Sequence, residues 1–101
     1  MQVREFILLD EASLEEGVLS DALSALWYDY HDDWDTAHAC VQDGISPEAS
    51  WVHAYLHRKE GDEGNARYWY AKAGKEFYSG SLPEEWERLV ITLLERLFPQ
   101  K

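Results

Sequence analysis

Two histidines one helical turn apart, His53 and His57, followed three residues later by Glu60, are the side chains of this chain best spaced to do chemistry. At about 100° per residue the three fall within roughly 60° of one another on a helix, so they form a polar stripe. Val52, Tyr55 and Leu56 occupy a different face. A His-x-x-x-His pair can chelate zinc, nickel or iron, and Glu60 offers a carboxylate as a third ligand, so a metal set would be His53, His57 and Glu60. A second use of the cluster is a pocket for a small polar ligand, lined by His38, His53, His57, Asn65, Tyr68 and tryptophans such as Trp69, because ligand sites combine aromatic walls with a few convergent polar groups. The third use needs no ligand. Buried imidazoles must be hydrogen-bonded, since stranding a polar group costs about 1–3 kcal/mol, and Glu60, His38 or Asp35 can supply partners for a purely interior network. The sequence favours the network over the pocket and the pocket over the metal.

Other chemistries find little footing. Ala54 follows His53, so the Glu that serves as general base in His-Glu-x-x-His peptidases is missing. Di-iron bundles use two Glu-x-x-His pairs, whereas this chain has one Asp35-x-x-His38 and a reversed His57-x-x-Glu60. His31-Asp32 matches the dyad of HD phosphohydrolases but falls in a predicted turn of a chain too short for that fold. The single cysteine, Cys40, excludes an internal disulfide and any multi-cysteine metal site within one chain, and it shares a helix face with Ala37 and Val41, which predicts a core role. No glycine-rich phosphate loop or nucleophile elbow is present. Glu84, Glu85 and Glu87 open the last predicted helix, where carboxylates complement the macrodipole.

The elements that must carry these residues read as helices almost throughout. Ser13 and Glu16 form a capping-box pattern that predicts a first helix over Leu14 to Tyr30. Asp32-Asp33 turns the chain into a second helix from Trp34 to the Asp43-Gly44 stop. Ser46-Pro47 restarts it, with Ser as N-cap and Pro in the first helical position, and a third helix runs to Glu60. After Gly61-Asp62 a fourth runs from Glu63 to Ala73. A looser segment, Lys75 to Gly80, leads to Ser81, which caps a fifth helix whose apolar residues Trp86, Leu89, Val90, Leu93, Leu94 and Leu97 keep helical spacing until Pro99. Val3 to Leu9 reads as coil. The expected organisation is all-α and a single domain, with a lead segment over 1–12, one hairpin over 13–44, a second over 46–74 and a C-terminal helix over 81–98.

Superposing the two hairpins at an offset of 29 residues places Ala25 on Ala54 and Ala37 on Ala66. The second hairpin resembles a tetratricopeptide (TPR) repeat, with Ala54 before the turn at Gly61 and Ala66, Tyr70 and Ala73 after it. That resemblance implies a right-handed helical array in which small residues let paired helices approach closely. It also implies core positions for His53 and His57, where such repeats carry large apolar residues. The string His57-Arg58-Lys59-Glu60-Gly61-Asp62, with Asn65-Ala66 and Tyr68-Trp69-Tyr70, resembles the signature of a group of short bacterial and fungal proteins to which no activity is assigned. Trp34-Asp35 and Ala37-His38 are similar to that group as well.

Composition bounds the partners. The chain of 101 residues is 46% hydrophobic and 14% aromatic, too rich in core-forming side chains for an acidic disordered tail. Its nine Lys and Arg against twenty Asp and Glu give a net charge of −11. Residues 1–50 hold twelve of the acids and a single base, Arg4, while the second half is neutral. A face of that sign repels nucleic acids and anionic membranes and suits a basic protein or peptide. The start Met1 to Asp10 has no signal-peptide core and no apolar run reaches transmembrane length, which predicts a cytoplasmic protein. The sequence therefore favours a non-enzymatic, TPR-like protein-interaction module without a cofactor. The alternative is a small-ligand or metal-binding protein, at most a minimal enzyme, built on His38, His53, His57 and Glu60. Oligomeric state and pathway leave no trace in it.

Overall fold

Helix-capping side chains punctuate the structure, a computed structural model that describes residues 1–99. Seven helices follow one another among these residues: α1 (Val3–Ile7), α2 (Glu11–Glu15), α3 (Asp21–Tyr30), α4 (Trp34–Val41), α5 (Pro47–Glu60), α6 (Glu63–Ala73) and α7 (Leu82–Leu97). The side chains of Ser20, Asp33, Ser46, Asp62 and Ser81 each accept a backbone N–H three residues on, at the starts of α3 to α7. Each satisfies one of the donors that the first turn leaves without a partner. Gly61 ends α5 at a φ of 88°, a left-handed conformation that L side chains resist.

Two expectations for the N-terminal third are corrected. Val3 to Leu9 is not coil, because Phe6 is fully buried and its burial holds a short helix whose Gln2 N–H is taken by the Glu5 carboxylate at 3.0 Å. The single first helix over Leu14 to Tyr30 is two. Asp10, not Ser13, caps α2, accepting from the Ser13 N–H at 2.9 Å and from its hydroxyl at 2.8 Å. Gly17 then takes a φ of 76° and stops the helix, and Ser20 starts the next one.

α5 is the hub. It packs most densely against α6 across the Gly61-Asp62 turn and also meets α3, α4 and α7, while α3 packs on α4. The main core gathers Phe6, Leu23, Leu26, Val41, Val52, Leu56, Leu89 and Val90, and a smaller cluster of Ala54, Ala66 and Tyr70 sits between α5 and α6. Three indole N–H groups tie helices to distant carbonyls: Trp27 to Leu9, Trp34 to Leu56 and Trp86 to Leu26, all at 2.9–3.0 Å.

Two buried carboxylates cross-link the hub. Asp29 of α3 accepts from Tyr55 Oη at 2.7 Å and Lys59 Nζ at 2.8 Å. Glu85 of α7, only 2% exposed, accepts from Arg58 Nε at 2.9 Å and from the Tyr70 hydroxyl. Burial pushes the Glu85 carboxyl up, against the pull of Tyr70 and Arg58, and pushes both tyrosine hydroxyls up as well. Glu85 is thus more than a helix-dipole carboxylate, and its role differs from that of its exposed neighbours Glu84 and Glu87. No described helix is long and apolar enough to cross a membrane.

Candidate functional site: an imidazole cluster between α4, α5 and α6

The site is built from facing positions on three helices. α5 supplies His53 and His57 one turn apart, and α4 lays His38 against them because the indole of Trp34, one turn earlier, anchors α4 through its bond to the Leu56 carbonyl. His38 Nε2 lies 2.9 Å from His53 Nε2. Ring nitrogens of His38, His53 and His57 all lie within 4.8 Å of one another. His53 and His57 are only 3% and 7% exposed, while His38 is half-buried.

Aromatic rings wall the cluster. The Trp34 ring stacks on His38 with centroids 4.9 Å apart and planes 9° from parallel, and Trp69 of α6 stacks on His53 at 4.0 Å. Lys72 Nζ lies over the Trp69 ring at 5.2 Å. On the outer side, His57 Nδ1 meets Glu60 Oε1 at 2.6 Å. That carboxylate accepts the Nδ1–H, which orients the ring.

Proton counting defines the state of the other two rings. Two imidazole nitrogens at 2.9 Å must share one proton, so His38 and His53 cannot both be charged. Burial lowers the pKa of both, and the neighbouring imidazoles lower them further; His53 falls to about 4, while Glu60 and Asp35 partly offset the shift at His38. His53 Nδ1 is buried with no hydrogen-bond partner among the described residues. The cluster is therefore not a closed hydrogen-bond network.

The residues singled out in the sequence divide here. His38, His53, His57, Glu60 and Trp69 come together. Asn65 does not, because its side-chain N–H donates to Asp62 Oδ2 at 3.1 Å in the cap of α6. Tyr68 is 56% exposed and touches the site only through the edge of Trp69. Asp35 makes no hydrogen bond to the cluster and acts on His38 through its charge alone. Glu60, offered as a third metal ligand beside His53 and His57, lies against Nδ1 of His57, and a ring nitrogen of His38 lies within 4.8 Å of those of His53 and His57; His57, Glu60 and Asp62 likewise bring potential ligand atoms within 4.8 Å of one another. Trp34, a wall and an anchor, escaped the residue-level reading although it lies one turn before His38. Cys40 lies away from the cluster, partly buried against the main core, and burial raises its thiol pKa.

No protein-family model matches this chain, and neither curated proteins nor solved structures include a significant match to it.

Proposed function

We propose that this protein binds one late first-row transition-metal ion through His38, His53 and His57. The convergence of three ring nitrogens within 4.8 Å carries the reading. Ligands at 2.0–2.1 Å from a tetrahedral zinc stand roughly 3.3 Å apart, so the 2.9 Å separation of His38 and His53 opens slightly and His57 swings inward by rotamer adjustments of about an ångström. All three donors are imidazoles, a set suited to zinc, copper, nickel or cobalt and poorly suited to magnesium or calcium, which take oxygen ligands.

Second contacts support the same reading. A ligating histidine usually gives its other N–H to a carboxylate, and His57 has that partner in Glu60. His53 is oriented by stacking on Trp69 rather than by a hydrogen bond at Nδ1. Glu60 and Asp35 supply negative charge beside a ligand set that has none of its own. Binding through Nε2 of both His38 and His53 requires the proton they share to move to an Nδ1; burial holds His53 neutral at neutral pH, so no second proton has to leave that ring.

The scaffold supports a TPR-like reading to this extent: α3–α4 and α5–α6 are successive helical hairpins, and Ala54 and Ala66 meet where a close helix approach needs small residues. The interaction role favoured by composition rests on a different part of the surface.

Elemental analysis and native mass spectrometry of protein dialysed against zinc, cobalt or nickel test the proposal. One ion per chain is expected, lost in His38→Ala and in His57→Ala. Uptake that is absent, or that survives both substitutions in folded protein, would contradict it.

A further inference from the structure

At the opposite side of α5's first turn the surface carries a groove of about 570 Å³ with an unusual rim. Its floor is apolar, formed by Ala22, Ala49, Leu93 and Leu97. Asp21 and Asp43 stand on its edge without a cationic partner among the described residues, whereas Glu48 is paired with Arg96 at 3.1 Å. Ile45, in the turn between α4 and α5, is 99% exposed at the same edge.

The exposure of Ile45 is built in. Its neighbour Gly44 approaches α5 so closely that a Cβ there would lie 2.6 Å from Ala49 Cβ. The Gly44 N–H is bound to the Val41 carbonyl at 3.0 Å, and Ser46 caps α5. The turn is thus fixed at both ends and presents a bulky aliphatic side chain to solvent beside an apolar trough, an arrangement with the character of a binding surface.

Charge decides the occupant. A second copy of this chain, at −11, would set Asp21 and Asp43 against like carboxylates across a two-fold interface. A cationic segment meets the opposite situation. We propose that the groove docks a short basic peptide segment whose bulky apolar side chain enters between Ile45 and Leu97 while flanking Lys or Arg side chains meet Asp21 and Asp43.

The test titrates isotope-labelled protein with the synthetic peptide Lys-Arg-Leu-Leu-Arg-Lys and follows backbone amide shifts, alongside a peptide with serines in place of the leucines. Expected are shifts centred on Asp21, Ala22, Gly44 and Leu97, and affinity reduced about fivefold or more either by Ile45→Ser or by the serine peptide. Ile45 touches no core, so that variant should retain the native amide spectrum. Absence of any shift at millimolar peptide, shifts spread over the acidic half, or binding indifferent to both changes would overturn the proposal. A concentration-dependent dimer, seen by sedimentation and abolished by Ile45→Ser, would put a second copy in the groove and overturn it as well.

Discussion

Glu60 and His57 form a pair whose two members do different jobs, and substitution separates them. Glu60→Gln keeps an acceptor oxygen for the Nδ1–H but removes the charge; metal affinity is expected to fall about tenfold or more, read by competition with a chromophoric chelator. Unchanged affinity would leave Glu60 with no positioning role. His53 makes a second prediction through its protons. Its pKa in the fold is about 4 against an ordinary 6.5, so the unfolded chain binds the proton first on acidification. Stability is then full above about pH 6.5 and is lost as pH falls through the folded value. His38 acts in the same sense, with Glu60 and Asp35 the facing acids and His57 the remaining imidazole. Between about pH 7.5 and pH 5 the metal-free protein should lose roughly 2 kcal/mol more than His53→Gln does, measured by urea unfolding. Equal losses would mean that His53 is not held neutral by the fold. At this scale the His53–His57–Glu60 stripe was readable from helical periodicity alone. The approach of His38 to that stripe was not, because it depends on how α4 lies against α5, which the Trp34 indole sets through one long-range hydrogen bond.

Helix boundaries follow caps where a single side chain decides them. Ser46-Pro47, Gly61-Asp62 and Ser81 gave α5, α6 and α7 their observed limits because N-caps and left-handed glycines act locally. The region before Ser20 resisted for the opposite reason: Ser13-Leu14-Glu15-Glu16 satisfies a capping pattern, yet Asp10 competes for the same backbone donor, and Phe6 burial is a tertiary event. Two glycines separate conformation from space at the α5–α6 hairpin. A Cβ added at Gly61 or at Gly64 would meet no atom within 4 Å, but only Gly61 has a positive φ. Gly61→Ala should therefore destabilise by about 1 kcal/mol or more, whereas Gly64→Ala, inside α6, should be neutral or raise stability by up to about 1 kcal/mol. Thermal unfolding of the two variants distinguishes them, and a Gly61→Ala variant as stable as the unsubstituted protein would show that the turn tolerates a side chain. The string from His57 to Tyr70 gains a physical meaning at this level. Arg58 and Tyr70 hold Glu85, Lys59 holds Asp29, Gly61 and Asp62 make the turn, and Trp69 stacks on His53. Those pairings join residues up to 30 positions apart, beyond what local spacing reveals.

Across the whole molecule the net charge resolves into parts with different roles. Of the twelve carboxylates in residues 1–50, Asp29 is buried in an ion pair with Lys59 and Glu48 is paired with Arg96, while Asp10 and Asp33 cap helices. The remainder are exposed, and composition alone could give their sign but not the groove that Asp21 and Asp43 edge. The hub helix α5 links both proposed sites to the core. Arg58→Ala would leave Glu85 buried without its cation and is expected to cost about 3–5 kcal/mol, far more than loss of the exposed Arg67–Glu63 pair; denaturant unfolding of the two variants measures the contrast. A metal bridging α4 to α5 acts in the other direction, adding about 2.7 kcal/mol of stability at a free concentration one hundred times its dissociation constant. The most direct measurement is a long-range ¹H–¹⁵N correlation spectrum of the histidine side chains, recorded before and after one equivalent of zinc. Expected is a metal-induced shift of one nitrogen on each of His38, His53 and His57, with Nδ1 of His57 remaining protonated toward Glu60 and His31 unchanged. Spectra that do not respond to zinc, or a response confined to His31, would contradict metal binding at the cluster.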